Sequence, residues 1–149
     1  MSFALLVAPV LLGVVIAVSS ESGAKTATLP IVGGVVAALI CLGIILTVGY
    51  QTPALPAAEP EGRAQRVALD RFRTGFFLRF AFAEAPALIG CALTFAGARA
   101  SVVNYLPAGV LSLLLVLWHV VPNRWNVGRV RAALDKDGGR SQLLSQFGY

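Results

Sequence analysis

The 149-residue chain is 57% hydrophobic and only 13% charged, with a formal net charge of +5. Soluble domains are close to half apolar and a quarter charged, so this composition excludes an ordinary water-soluble domain and points to a membrane. Two cysteines and one histidine leave no disulfide framework and no metal-ligand spacing.

Four apolar segments, 3–19, 29–50, 75–98 and 102–121, approach the length needed to cross a bilayer. A ~30 Å hydrocarbon core takes about 20 residues of helix, and irregular backbone cannot face lipid, so all four are expected to be helices. The predicted fold is therefore an all-α integral membrane protein, its four transmembrane helices arranged as two tandem hairpins. The first segment starts MSFALL, without the basic stretch of a secretory signal, and is read as a retained helix. The second carries Gly33, Gly34, Ala37, Ala38 and Gly43; Gly34 and Ala38 are four apart, a small-residue face that allows close helix packing.

Residues 51–62, QTPALPAAEPEG, read as an extended, exposed Pro/Ala linker. They lead into RAQRVALDRFR, expected to form a short helix on the lipid headgroups ahead of the third span. The third span contains Arg79, Glu84, Pro86 and Gly90, and Pro86 removes the intrahelical donor to the Phe82 carbonyl. The fourth contains Ser112 and ends near Trp118 and His119. Beyond it, WNVGRVRAALDKDGG predicts a short interfacial helix terminated by Gly138–Gly139. Trp118, Trp125 and Tyr50 fit an inner aromatic belt and Tyr105 an outer one. Cys41 and Cys91 fall at different depths and are read as small packing residues. The organisation follows as a first hairpin over 1–50, a cytoplasmic linker and basic lead-in over 51–74, a second hairpin over 75–122 and a basic tail over 123–149.

Basic residues set the orientation. Arg63, Arg66, Arg71 and Arg73 crowd the middle connection, and Arg124, Arg129, Arg131, Lys136 and Arg140 the tail, whereas the other two connections hold only Lys25 and Arg99. Lys and Arg accumulate on the cytoplasmic side, so both termini and the middle loop are expected inside. The positive charge then serves anionic headgroups at the cytoplasmic face, not nucleic acid. The expected location is a multi-pass position in a bacterial cytoplasmic membrane.

Sliding the chain against itself by 77 positions places FALLVAPVLLG over FAFAEAPALIG, so that Pro9 matches Pro86, Gly13 matches Gly90 and Pro30 matches Pro107. Such an offset predicts two similar hairpins related by an axis along the membrane normal. Val7 occupies the place of Glu84, so one copy alone carries the acid.

Glu84 lies about nine residues, roughly 13 Å, beyond the cytoplasmic start of its helix. An ionised carboxylate at that depth is costly, so a neutral carboxyl is expected. Arg79, close to the interface, is expected to snorkel outward, and His119 lies shallower than Glu84. The carboxyl has two uses: to bind a proton or cation, or to hydrogen-bond a neighbouring helix and specify packing. Arg79, Ser112 and His119 are the polar groups able to support it, while Gly33, Gly34, Ala38, Pro86 and Gly90 shape the packing around it.

The run AFAEAPALIGCALTFAGA resembles the acidic helix of the rotary ATPase proteolipid, the c subunit, and LPIVGGVVAALICLG followed by an Arg-bearing loop keeps the family's order. The resemblance implies a proton site at Glu84 and association into a larger membrane assembly. The chain departs from the family in its long connecting loop, in a further span after the acid, in its basic tail and in lacking a repeated Gly-x-Gly ladder. Small multidrug exporters also pair four short helices with one membrane glutamate, but carry it on the first helix.

The sequence thus points to a small non-enzymatic polytopic protein, a subunit or accessory with a proteolipid-like buried carboxyl and membrane-protein partners or self-association. The alternative is a proton-coupled carrier or proton-translocating subunit using Glu84. No nucleophile–base set, phosphate loop, metal cluster or cofactor motif appears. The orientation predicts that, with Cys41 and Cys91 replaced, cysteines placed at Ala24 and Arg99 react with an impermeant reagent from outside, and those at Ala57 and Ser141 from inside only. External labelling at Ala57 would overturn it.

Overall fold

The computed structural model describes residues 4–20, 26–96 and 101–149. It is helical, with no strand among the described residues: α1 (Ala4–Ser19), α2 (Thr28–Thr47), α3 (Glu61–Ala96), α4 (Val102–Leu115), α5 (Arg124–Leu134) and α6 (Leu143–Gln146). The last turn of α4 widens over Val116–Val120 into a π-helical turn, in which the Val121 N–H donates to the Val116 carbonyl at 3.0 Å. The two connections expected to face outward, with Lys25 and Arg99, lie outside the described residues.

Among the described residues three helices, not four, are long and apolar enough to cross a membrane: α2, α3, and α4 with its π turn. The first segment falls short because α1 has 16 residues, about 24 Å of helix against a ~30 Å core. The expected lead-in helix is not a separate element either. It forms the first turns of α3, whose 36 residues extend for about 54 Å, well beyond the bilayer core. Pro86 does not end the helix.

The core of the bundle is a triangle of α2, α3 and α4, each packed against the other two. Its closest point is the Ala108 methyl of α4, wedged between two glycines. A Cβ added at Gly34 would lie 2.7 Å from that methyl, and one added at Gly90 would collide with it too. Gly33 receives the Leu93 side chain of α3, and Ala38 is buried on the same side of α2 as Gly34 and Cys41. Small residues bring three backbones together here because lipid offers no hydrophobic drive to do so, leaving dispersion at close range as the attraction.

The tandem-hairpin arrangement is realised only in its second half. α3 and α4 pack along each other, but α1 lies on α4 and α3 and hardly touches α2. The repeat itself supplies the reason. Ala108, which lets α4 approach Gly90, corresponds to Ile31 in the first copy, and its bulk prevents the same approach to Gly13. α1 instead seats Gly13 against the Tyr105 ring, 3.4 Å from a Cβ built there. The Tyr105 hydroxyl donates to the Pro9 carbonyl at 2.8 Å, and Ser20 caps α4 by accepting from the Val102 N–H at 3.0 Å. Tyr105 is therefore buried between helices rather than placed in an outer belt.

Opposite the α4 N-terminus, the segments expected as a free linker and an interfacial helix fold into one cap. Leu55 is buried and its N–H donates to the Leu134 carbonyl of α5 at 2.8 Å, while Arg71 donates to the Pro53 carbonyl at 2.6 Å. α5 begins at an Asn123–Asn126 capping box and ends at Leu134, ahead of the glycine pair, with Gly138 in the left-handed conformation at φ 84°. Its apolar face, Val127, Val130 and Leu134, packs with Ala64, Ala68 and Phe72 of α3 and with Leu143 of α6, not with lipid. Trp118 and Trp125 remain exposed as expected of a belt, whereas Tyr50 is buried. Ser141 is buried as well, so the exposed Arg140 beside it is the tail position to label.

The glycine wedge sets up a stability test. Gly90→Ala and Gly34→Ala are expected to lower the thermal unfolding midpoint in detergent by the equivalent of about 1–3 kcal/mol, the cost of overpacking. Gly43→Ala, which meets nothing within 4 Å, is expected to be neutral or slightly stabilising. Ala108→Gly combined with Gly90→Ala is expected to regain most of the loss; no recovery would show that the wedge is not the contact that matters.

Candidate functional site

Glu84 lies on the side of α3 that faces α1. One and two turns on, Ala87 and Cys91 pack with Ile16 and Leu12 of α1 and with Tyr105, and residues spaced three and seven apart share a helix face. The side chain is half-buried, and its Oε1 is enclosed without a hydrogen-bond partner. The neighbouring polar groups have their bonds elsewhere. Ser112 Oγ, fully buried, donates to the Ala83 carbonyl at 2.7 Å, and Tyr105 donates to Pro9. Ser112 thus ties α4 to the α3 backbone one residue beyond the Phe82 carbonyl that the sequence singled out. The glutamate forms no ion pair among the described residues.

Arg79 and His119 belong to a second constellation. Arg79 does not snorkel: it is 0% exposed. Gly49, at the end of α2, makes room for its stem, since a Cβ there would stand 2.8 Å from Arg79 Cγ. The guanidinium lies 4.6 Å from the Tyr50 ring centroid and 5.4 Å from that of Phe72. Arg129 of α5 reaches the same Tyr50 ring at 4.3 Å and the Trp125 ring at 5.0 Å. The π turn carries His119 inward, where its Nδ1 is 2.9 Å from the Tyr50 hydroxyl, and widened turns of this kind recur at functional positions. Tyr50 is the hub, touched by two cations and an imidazole.

Magnitudes set the cost of this arrangement. A desolvated cation–π contact contributes about 2 kcal/mol, whereas burying an ion costs several kcal/mol unless it is paired. None of the Nε, Nη1 and Nη2 atoms of Arg79 has a hydrogen-bond partner, and a guanidinium cannot escape by losing its proton. The described ion pairs, Arg63–Glu59, Arg73–Asp70 and Arg131–Asp135, involve neither Arg79 nor Arg129.

The structure thus separates the predicted site residues. Ser112 lies beside the Glu84 region but bonds to the backbone, Arg79 and His119 converge on Tyr50, and Gly33, Gly34, Ala38 and Gly90 pack helices together. No cluster of metal-ligating side chains occurs among the described residues. Comparison with known protein families, curated proteins and solved structures finds no match. The reading of function rests on geometry.

Sequence reasoning missed Tyr50 and Arg129 as members of a site. The available signal was Arg79 itself, a permanent charge just inside an apolar segment with no acid a helical turn away. Tyr50→Leu, which removes the ring shared by both guanidiniums, is expected to destabilise the protein in detergent by about 2–3 kcal/mol. Tyr50→Phe keeps the ring, loses the contact with His119 and is expected to cost about 1 kcal/mol. Equal losses in the two variants would show that the hydroxyl, not the ring, holds the site.

Proposed function

We propose that this chain is a small, non-enzymatic membrane subunit or accessory of a larger assembly, with Glu84 as a proton-binding carboxyl. The observation that carries this reading is the bare Oε1 of Glu84, enclosed between helices whose other polar groups are already bonded. A glutamate retained as a packing contact would be spending its hydrogen bond on a neighbour, and among the described residues none is made by Glu84 Oε1. A neutral acid with no partner is free to exchange its proton. The resemblance of its helix to the proteolipid acidic helix supports the same role.

In this reading the cap and the C-terminal end face the cytoplasm, their exposed arginines against anionic headgroups, in a bacterial cytoplasmic membrane. α1 remains in the apolar layer beside α4, its outward Val10, Leu11, Val14 and Val15 toward lipid. A carrier for a polar substrate has less support. Two clefts on the described bundle, about 420 Å³ between α2 and α4 and about 280 Å³ between α1 and α4, are lined mostly by aliphatic side chains, with Trp118 and His119 at the first and Tyr105 at the second.

Carbodiimide modification tests the reading, because the reagent attacks protonated carboxyls in apolar surroundings. Glu84 is expected to be labelled in membranes, more slowly as pH rises, with the label absent from Glu84→Gln. The same variant, isolated in mild detergent, is expected to keep the native mass of the assembly, since the amide preserves shape. A Glu84 that resists the reagent at every pH would refute proton binding, and a purified monomer with no co-purifying chain would refute the subunit role.

A further inference from the structure

The Arg79–Arg129 constellation is separate from Glu84, and nothing proposed for the acid explains it. Two guanidiniums lie against one Tyr50 ring, within roughly one Debye length of each other. The inner one is completely buried, and all of its donor atoms are unpartnered. The charged and titratable groups described around Arg79 are Tyr50, His119 and Arg129, and no ion pair with a carboxylate involves it among the described residues. His119 adds a hydrogen bond to Tyr50, not a negative charge. A fully buried guanidinium with a second cation nearby and no paired anion carries an uncompensated desolvation cost.

We infer that Arg79 and Arg129, positioned by Tyr50, bind a phosphate group, that of a phospholipid headgroup or of a free phosphate compound. Phosphate fits because guanidinium donors match its oxygens in pairs and one group can bridge two arginines. Arg129 is the entrance. It is half-buried on α5, beside the exposed Trp125, whereas Arg79 lies beneath. An anion therefore meets Arg129 first, with Arg79 beneath it on the same Tyr50 ring. The position also suits a headgroup. Arg79 lies just inside the apolar part of α3, with the arginine-rich first turns of that helix directly before it, so a lipid phosphate can arrive from the interface without leaving the bilayer.

The test uses the full chain in a non-ionic detergent, titrated separately with inorganic phosphate and with short-chain phosphatidylglycerol. The readouts are the thermal unfolding midpoint and the phosphorus NMR signal of the probe. The wild type is expected to show a saturable rise in midpoint with at least one probe. A response to phosphatidylglycerol alone identifies a headgroup site, and a response to inorganic phosphate identifies a site open to soluble phosphates. Arg79→Met is expected to abolish the response, and Arg129→Gln to weaken apparent binding at least tenfold while retaining the wild-type helical content. Should Arg79→Met fail to fold, Arg129→Gln decides alone, since its side chain is only half-buried. A wild type that saturates with neither probe, or an Arg129→Gln titration that superimposes on the wild type, overturns the proposal.

Discussion

Three helix backbones converge on one methyl group. Ala108 of α4 fits between Gly34 of α2 and Gly90 of α3, and this contact fixes how close the three helices come and in what register. In lipid, apolar faces gain nothing by hiding from water, so association depends on dispersion at short range, which decays steeply as a gap opens. The wedge also determines the asymmetry of the bundle. The residue corresponding to Ala108 in the first repeat is Ile31, so α1 cannot join α2 in the same way and packs on α4 through Tyr105. A repeat legible in sequence therefore does not produce a symmetric structure.

With the triangle fixed, the two polar features of α3 are directed apart. Glu84 is on the α1 side, among aliphatic residues, and the Ala83 carbonyl beside it accepts from Ser112 of α4. Arg79 turns toward the end of α2, where Gly49 admits its stem and Tyr50 and Phe72 receive its guanidinium. Five residues along one helix are enough to put an acid and a base on different faces, so they do not neutralise each other. Each stays unpaired, in a different way: the acid can become neutral by taking a proton, whereas the guanidinium cannot become neutral and depends on external negative charge.

The cap connects this chemistry to the membrane surface. The continuous α3 carries its arginines out of the bilayer, and Leu55, α5 and α6 close over its first turns. This holds Arg129 and Trp125 next to Tyr50. Cap and bundle share one apolar cluster, which packs the cap against the end of α2 and the π turn of α4.

The sequence by itself determined what depends on local composition. Apolar length identified the membrane class and located α2 and α4; glycine and alanine spacing marked the face carrying Gly34 and Ala38; and an acid beside a proline in an apolar run singled out Glu84 and Pro86. Only the tertiary structure decided which distant residues meet. That Gly90 faces Ala108, that α1 leaves α2 for α4, that Leu55 packs inside, and that Arg79 turns inward instead of snorkelling all depend on complementary shapes between residues far apart in the chain. Helix formation is satisfied by hydrogen bonds within one segment and so can be read from that segment. Close packing requires a particular small residue opposite a particular protrusion, and neither partner of such a pair carries a local mark of the other.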